Sequence, residues 1–244
     1  ADEFSDIMAD IASQGVRIIG GCCGTTPEYI RKTAEKVKNI PIKEIEDKDI
    51  TVVSSYTHAV KIEDEPILIG ERINPTGKKK FKEALRNKDM EYILKEGISQ
   101  HEKGVHILDV NVGLPEIDEK AMICEALSGL QVVSDLPLQI DTVDAEAMEA
   151  AMRIYNGKPL VNSVNGNKES MDNIFPLVKK YGGVLIALTM DHEGIPETAE
   201  GRLAIAERIV REAEKYGISK KNIIADPLAL TVSSDSQSAN VTLK

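Results

Sequence analysis

From Pro66 onward, short apolar runs alternate with amphipathic segments, and this alternation restricts the fold more than any other feature. Strands are predicted at Ile67–Gly70, Val105–Val110, Leu138–Asp141, Leu160–Asn162, Val184–Thr189 and Asn222–Ala225. Helices are predicted at Asp89–Lys103, Glu119–Ser128, Ala145–Ile154, Glu169–Tyr181 and Thr198–Tyr216. Five successive crossovers favour a parallel sheet with helices outside it.

The predicted fold class is α/β, of the (β/α)8 TIM-barrel type, because a strand recurs about every 20–40 residues. About six β/α units are expected, so about two units of a closed barrel lie outside this sequence. An open, doubly wound sheet is the alternative. The first strand is not followed by a GxGxxG phosphate turn, and this weakens that alternative.

Polar side chains end the apolar runs. The runs PILIGERINPTG (Pro66–Gly77), HILDVNVG (His106–Gly113) and QIDTVD (Gln139–Asp144) each change abruptly from apolar to polar residues. In a parallel barrel the carboxyl ends of the strands line the ligand site. The candidate binding residues are therefore Asn74, Asp109, Asn111, Asp141, Asn162 and Asp226.

Four of these candidates also have a structural interpretation. Asp226 precedes Pro227, and Asp-Pro is a common turn. Asp141 is placed to cap the helix that starts near Asp144, and Asn162 lies in the loop-like segment NSVNGN. Asp109 is suited to accept hydrogen bonds from backbone amides. Polar residues at the same end of five strands are harder to explain as loops.

The first 37 residues predict a helix, a strand and a helix. The helix Phe4–Gly15 and the strand Val16–Ile19 precede a glycine-rich turn, Gly20–Pro27, in which Thr26 is placed to cap the next helix. One such unit cannot bury a core, so its neighbours are expected upstream. The predicted domains are 1–40, the end of one barrel; 41–65, a linker; and 66–244, a second barrel truncated at its carboxyl end.

Cys22 and Cys23 lie in that turn. Two thiolates at one strand end can share a soft metal ion such as zinc, although adjacent cysteines are also compatible with unremarkable thiols. Cys124 lies in the middle of a predicted helix and is interpreted as a core residue. The four histidines are interpreted as structural or solvated, with His192 the one near the carboxyl ends of the strands.

Composition excludes several classes of partner. The net charge is −10, and no basic stripe is present, so nucleic acid is not expected to bind. The basic cluster KKKFK (Lys78–Lys82) is interpreted as a solvated loop and helix start; alternatively, it attracts an anionic ligand tail. No apolar run reaches the ~18 residues of a membrane span and no signal peptide is evident, so a cytoplasmic location and reduced thiols are expected.

The segment RIIGGCCGTTPEYIRK resembles the last strand and turn of the homocysteine S-methyltransferase barrel. In that family two cysteines of GGCCGT and a third, upstream, bind zinc. The resemblance implies that Cys22 and Cys23 are zinc ligands, with the third ligand outside this chain. It also implies homocysteine as a substrate, which the metal holds as a thiolate.

The region from about Pro66 to Lys244 resembles the pterin-binding domain of cobalamin-dependent methionine synthases and related corrinoid-protein methyltransferases. The motifs that carry the resemblance are GERINPTG, LDVNVG, IDT, VNSVNG, LIALTM and ADPLALTVS, in this order. The resemblance assigns Asp141, Asn162 and Asp226 to the pterin ring. It places Asp109 and Asn111 at the border of the same pocket and makes Asn74 a second choice.

The implied reaction transfers a methyl group from 5-methyltetrahydrofolate to cob(I)alamin on another domain or protein, and then to zinc-bound homocysteine. In the family an asparagine after the seventh strand assists at N5. That strand is absent here, so the chain alone is expected to be incomplete for turnover, and no catalytic residue is assigned. The alternatives are a methyltetrahydrofolate:corrinoid protein methyltransferase, a dihydropteroate synthase-like enzyme, and an inactive pterin-binding fragment.

Overall fold

The structure is a computed structural model that describes residues 1–44, 46, 48–63, 65–230 and 238–244. The described chain forms two compact units, Ala1–Asp49 and Ile50–Lys244. The domain boundaries predicted above stay a prediction. None of the described helices combines the length and the apolar character that crossing a membrane requires.

The first unit is a pair of helices, α1 (Asp2–Ser13) and α2 (Pro27–Val37). They pack through the rings of Phe4 and Tyr29, whose centroids are 5.3 Å apart in an edge-to-face arrangement. The prediction of a strand at Val16–Ile19 is wrong for the structure as described, because this segment has no strand beside it. A β-strand depends on hydrogen bonds from a neighbour, and Ile18 here is 93% exposed.

The second unit alternates strands and helices. Its strands are β1 (Val52–Ser54), β2 (Ala59–Lys61), β3 (Ile69–Ile73), β4 (Ile107–Val110), β5 (Leu138–Asp141), β6 (Leu160–Val164), β7 (Val184–Leu188) and β8 (Ile223–Asp226). Its helices are α3 (Lys79–Asn87), α4 (Met90–Glu102), α5 (Glu119–Val133), α6 (Ala145–Ile154), α7 (Lys168–Tyr181), α8 (Ala199–Lys215) and α9 (Ser238–Leu243).

Strands β3 to β8 form one parallel six-stranded sheet in sequential order. The outward side chains of this sheet pack against the helices in the main core, which includes Leu108, Ile140 and Val161. This arrangement confirms the predicted α/β class and a partial (β/α)8 barrel. Strand β5 and helix α6 have the predicted bounds, whereas α5 continues to Val133, five residues beyond the predicted end.

A short hairpin, β1–β2, covers the amino-terminal end of the sheet interior. Val53 and Val60 are buried there against Ile107, Leu160 and Val184. Backbone bonds join Ser54 to Lys158 in both directions, at 2.9 and 3.0 Å. The second compact unit begins at Ile50, so it includes the part of residues 41–65 that forms this hairpin. The interior is therefore covered at its amino end, whereas Asn111, Asp141 and Asn162 toward its carboxyl end are partly exposed.

Candidate functional site

Side chains on the concave face of the sheet change from apolar to polar along the strands. Ile107, Leu160 and Val184 form the lower, apolar layer on the hairpin, and Ile224 is packed against its edge. Alternate residues of a strand share a face. The residues two positions further along these strands, Asp109, Asn162, Ile186 and Asp226, therefore lie above that layer. Three of these four are polar candidates from the sequence.

Strand register brings the candidates into neighbouring pairs. Asp109 is paired with Gln139, and Asp141 is paired with Asn162 in the ladders of the parallel sheet. Asp226 stands beside Leu188 at the end of β8. The carboxyl ends of β4, β5, β6 and β8 thus carry carboxylate or amide groups toward a common opening, which we call the barrel mouth.

Asp109 and Gln139 form the deepest polar pair of the mouth. The Gln139 Nε2 group donates to Asp109 Oδ1 at 2.5 Å, and the two residues are 6% and 1% exposed respectively. The Gln139 Oε1 atom is buried and has no hydrogen-bond partner among the described residues. A buried acceptor without a partner costs free energy, so this atom is suited to accept a hydrogen bond from a ligand or a water molecule.

The environment of Asp109 favours its protonated form. Burial raises the pKa of this carboxyl group to about 7, and the nearby Asp141 and Glu71 carboxylates add to the rise. The hydrogen bond from Gln139 and the charge of Lys78 oppose it. A carboxyl group with a pKa near neutrality exists in both forms, so it can donate a hydrogen bond or accept one.

Asp141 lies nearer the opening and is held by Asn111. The Asn111 Nδ2 group donates to Asp141 Oδ2 at 2.9 Å, and Asn111 Oδ1 accepts from the Gly113 amide at 2.9 Å. Burial raises the pKa of Asp141, and the hydrogen bond from Asn111 counteracts the rise. Asp141 does not cap α6. That cap is Asp144, whose Oδ1 accepts from the Glu146 and Ala147 amides.

Asp226 stabilises a turn and also lies at the mouth, at the end of β8. Its Oδ1 atom accepts from the Leu228 amide at 2.7 Å, and its carbonyl oxygen accepts from both the amide and the hydroxyl group of Thr189. Asn162 is half-buried, and its carbonyl oxygen accepts from the Thr142 amide at 3.2 Å. Asn162 lies within β6 beside Asp141, and Asp226 lies at the end of β8 beside Leu188, so neither residue belongs to a detached loop.

Asn74 has a local structural role. It is 6% exposed, its Nδ2 group donates to Glu71 Oε1 at 3.1 Å, and its Oδ1 atom accepts from the Thr76 amide at 2.8 Å. These bonds shape the loop after β3. Glu71 and Gln139, which we did not select from the sequence, contribute to the electrostatics of the mouth. The face-sharing rule would have indicated Gln139, because it precedes Asp141 by two positions.

Cys22 and Cys23 are both exposed, and their Sγ atoms are 3.7 Å apart. Two thiolates at about 2.3 Å from one tetrahedral zinc ion would be separated by a similar distance, so this pair fits two of four ligand positions. In the part of the chain that the structure describes, no group of three or more His, Cys, Asp or Glu side chains is arranged to hold a metal ion. Cys124 is partly buried and packs against the main core.

The motif ADPLALTVS is described only in part, because residues 231–233 lie outside the described ranges. Of the histidines, His192 is largely exposed beside Asp191, with Nδ1 3.9 Å from a carboxylate oxygen. His106 Nδ1 accepts from the Leu68 amide at the amino end of β4. Neither histidine contacts the polar pairs of the mouth through a hydrogen bond or ion pair in the described residues.

Two family models match this chain in separate regions. The model described as pterin binding enzyme matches residues 70–244, and the model described as homocysteine S-methyltransferase matches residues 1–37. Methionine synthases of Mycobacterium tuberculosis and Mycobacterium leprae are 33% and 32% identical to it over 95% of the chain. The chain covers 20% of each of those proteins, about a fifth of their length.

Solved structures with a similar fold include two dihydropteroate synthases. The Xanthomonas albilineans enzyme, in complex with indole-2-carboxylic acid and 6-chloroguanine, has a TM-score of 0.58 and 20% identity, covering 77% of this chain and 70% of that one. The 7,8-dihydropteroate synthase of Vibrio fischeri has a TM-score of 0.54 and 18% identity, covering 73% and 67%. The fold, and the family model that matches most of the sequence, place this chain in the family of pterin-binding enzymes.

Proposed function

We propose that this chain supplies the pterin-binding site of a methyltransferase that takes the methyl group from N5 of 5-methyltetrahydrofolate. The observation that carries the proposal is the polar mouth, where the parallel strands place Asp109, Asn111, Asp141, Asn162 and Asp226 on the carboxyl side of an apolar layer. The order of the two family matches, and the similarity to methionine synthases, support this reaction over other pterin chemistry.

The chemistry of the mouth suits the edge of a pterin ring. That edge presents amino and N–H donors beside carbonyl and ring-nitrogen acceptors. Carboxylates accept from the donors, the Asn162 amide both donates and accepts, and a protonated Asp109 donates. A buried site with such fixed partners discriminates against ligands that lack the matching groups, because its own polar groups would then be left unpaired.

The methyl acceptor that we propose is cob(I)alamin, carried on a cobalamin-binding domain or a corrinoid protein as a substrate of this site. The methyl–N5 bond breaks with its electron pair left on nitrogen, and N5 takes up a proton. The residues of this chain bind and orient the pterin. The burial of Asp109 and Gln139 keeps the deep end of the site poor in water, which strengthens each hydrogen bond to the ring.

The proposal extends to the amino-terminal unit. We assign residues 1–40 to the end of a homocysteine-binding barrel and 66–244 to the pterin-binding barrel. Cys22 and Cys23 would provide two thiolate ligands to zinc, with a further ligand from outside this chain. Zinc bound there would lower the pKa of the homocysteine thiol and so favour its nucleophilic thiolate form.

Isothermal titration calorimetry on the whole chain tests the pterin site. We expect binding of 5-methyltetrahydrofolate in preference to a pterin pyrophosphate, the substrate of dihydropteroate synthase chemistry. Asp226→Ala should weaken binding about 10- to 100-fold, since a hydrogen bond to a charged group contributes about 1.5–3 kcal/mol. Asn162→Ala should weaken it about 2- to 10-fold, since a hydrogen bond to a neutral amide contributes about 0.5–1.5 kcal/mol.

Asp118→Ala is the matched control, because the Asp118 carboxylate caps α5 through the Ala121 amide and has no hydrogen bond or ion pair to the mouth residues in the part of the chain that the structure describes. It should lower thermal stability and leave the dissociation constant unchanged. Unaltered affinity in both mouth variants would refute the pterin site, and preference for the pyrophosphate would favour the dihydropteroate synthase alternative.

A further inference from the structure

Arg202 is an unusual residue of helix α8 because it is charged and only 5% exposed. A buried guanidinium normally pairs with a carboxylate, since removing a charge from water is costly. Among the described residues no carboxylate forms an ion pair with it. Its N–H groups instead donate to the carbonyl oxygens of Pro196, Pro227 and Leu228 and to the hydroxyl groups of Thr242 and Ser238.

Two of those carbonyl groups belong to the residues that follow Asp226. Arg202 Nη1 donates to Pro227 O at 2.7 Å and to Leu228 O at 3.4 Å, while Nε donates to Pro196 O at 3.0 Å. The guanidinium therefore connects the loop after β8 to the segment that leads into α8. A planar guanidinium can bond several acceptors in fixed directions, which a single ammonium group cannot do.

The same loop controls the Asp226 carboxylate. Leu228 has a φ of 57°, in the left-handed region that leucine rarely adopts. This conformation directs the Leu228 amide to Asp226 Oδ1, at 2.7 Å. No described residue donates to the other oxygen, Oδ2. The Leu228 carbonyl oxygen thus accepts from Arg202, and the Leu228 amide donates to Asp226.

We propose that Arg202 is a positioning residue for the pterin site, acting through the Pro227–Leu228 turn on the Asp226 carboxylate. It keeps the unfavourable backbone of Leu228 in place, so that one carboxylate oxygen is fixed and the second remains available to the N–H donors of a pterin. The inference rests on the proposed function, because it requires Asp226 to contact the ligand.

A double-mutant cycle tests this role. We expect Arg202→Met to weaken binding of 5-methyltetrahydrofolate about tenfold in calorimetry, a coupling of the size seen between residues that share a network. In an Asp226→Ala background the same substitution should cause no further loss. Arg202→Lys keeps the charge but not the planar fork, so its loss should be smaller and again dependent on Asp226.

Arg211→Met is the matched control, because the Arg211 side chain is exposed on α8 and, in the described residues, has Glu207 as its ion-pair partner. It should bind like the unmodified chain. If Arg202→Met does not fold, the double-mutant cycle with Asp226→Ala can be measured with Arg202→Lys instead. An equal loss with and without Asp226, or no loss in a folded Arg202 variant, would overturn the positioning role.

The outcome also separates this inference from the proposed function. If Asp226→Ala alone leaves binding unchanged, the assignment of Asp226 to the pterin site fails. If Asp226→Ala weakens binding while the Arg202 variants do not, only the positioning role fails.

Discussion

Asn111 directly follows β4, Asp141 ends the neighbouring strand β5, and the two side chains meet at the barrel mouth, where the Asn111 amide donates to Asp141 Oδ2 at 2.9 Å. The contact orients the carboxylate and favours its ionised form against the effect of burial. Three residues further along the chain, Asp144 performs a different task as the cap of α6. Two aspartates of one short segment therefore differ in role: Asp144 caps α6, whereas Asp141 faces the mouth that we propose to bind the pterin.

This separation predicts opposite effects for two similar substitutions. Asp141→Ala should weaken binding of 5-methyltetrahydrofolate about 10- to 100-fold, because a charged acceptor is removed from the mouth. Asp144→Ala should leave that affinity unchanged but lower the free energy of unfolding by about 1 kcal/mol, the usual contribution of a helix cap. Calorimetry and urea denaturation on both variants measure the two effects. The reverse pattern would assign Asp141 to structure alone.

Asp109 should make stability depend on pH. Its pKa is about 7 in the folded chain against an ordinary value of 3.8, so between those values the folded state binds the additional proton. The stability that the protonated Asp109 contributes to the folded state is complete below about pH 4 and is lost as the pH rises through about 7. In that interval it decreases the free energy of unfolding by up to about 1.4 kcal/mol per pH unit.

Asp109→Asn removes this titration and should flatten the pH profile in urea denaturation. Because the neutral amide needs no proton, the variant should gain stability relative to the unmodified chain as the pH approaches and passes about 7. A profile that keeps its original slope in the variant would show that other groups cause the dependence.

Tyr155 should be important for the closed end of the barrel. Its hydroxyl group donates to Ser54 O and accepts from the Leu138 amide, both at 2.9 Å, and so joins the hairpin to β5. Tyr155→Phe leaves both backbone groups without this partner. Ser54 O keeps the Lys158 amide as a donor at 3.0 Å, whereas the Leu138 amide loses the Tyr155 hydroxyl group as its acceptor. The substitution should therefore lower the free energy of unfolding by about 1–3 kcal/mol, the cost of one buried group left unpaired.

Tyr56→Phe offers a control in the same hairpin, since Tyr56 is 51% exposed and should change stability little. Thermal and urea unfolding compare the two phenylalanine variants. Equal stability in both would indicate that water replaces the Tyr155 hydroxyl group.

The cysteine pair should bind a thiophilic metal ion even without a third protein ligand. Titration of the reduced chain with Co²⁺ or Cd²⁺ should produce thiolate-to-metal charge-transfer absorption, because the Sγ atoms are exposed and 3.7 Å apart. Cys22→Ser and Cys23→Ser should each abolish it. Cys124→Ser should not, since burial raises the pKa of that thiol. An unchanged absorption in both exposed-cysteine variants would contradict the proposed ligands.

The sequence alone was sufficient for the features that depend on local periodicity. Strand Leu138–Asp141 and helix Ala145–Ile154 have the predicted bounds, because an apolar run and a 3.6-residue pattern both end at clear polar signals. Candidates at strand ends, such as Asp109 and Asp141, came together because parallel strands place their carboxyl ends at one edge.

Contacts distant in sequence decided the remainder. Val16–Ile19 has strand-forming residues but no neighbouring strand in the described structure, so its composition could not produce a sheet. Asp141 bonds to Asn111, and Gln139 bonds to Asp109, in each case across 30 positions of the sequence. Arg202 bonds to Pro227, 25 positions away. Periodicity determines which face a residue occupies, whereas the pKa of Asp109 and the orientation of Asp226 follow from neighbours that only the folded chain provides.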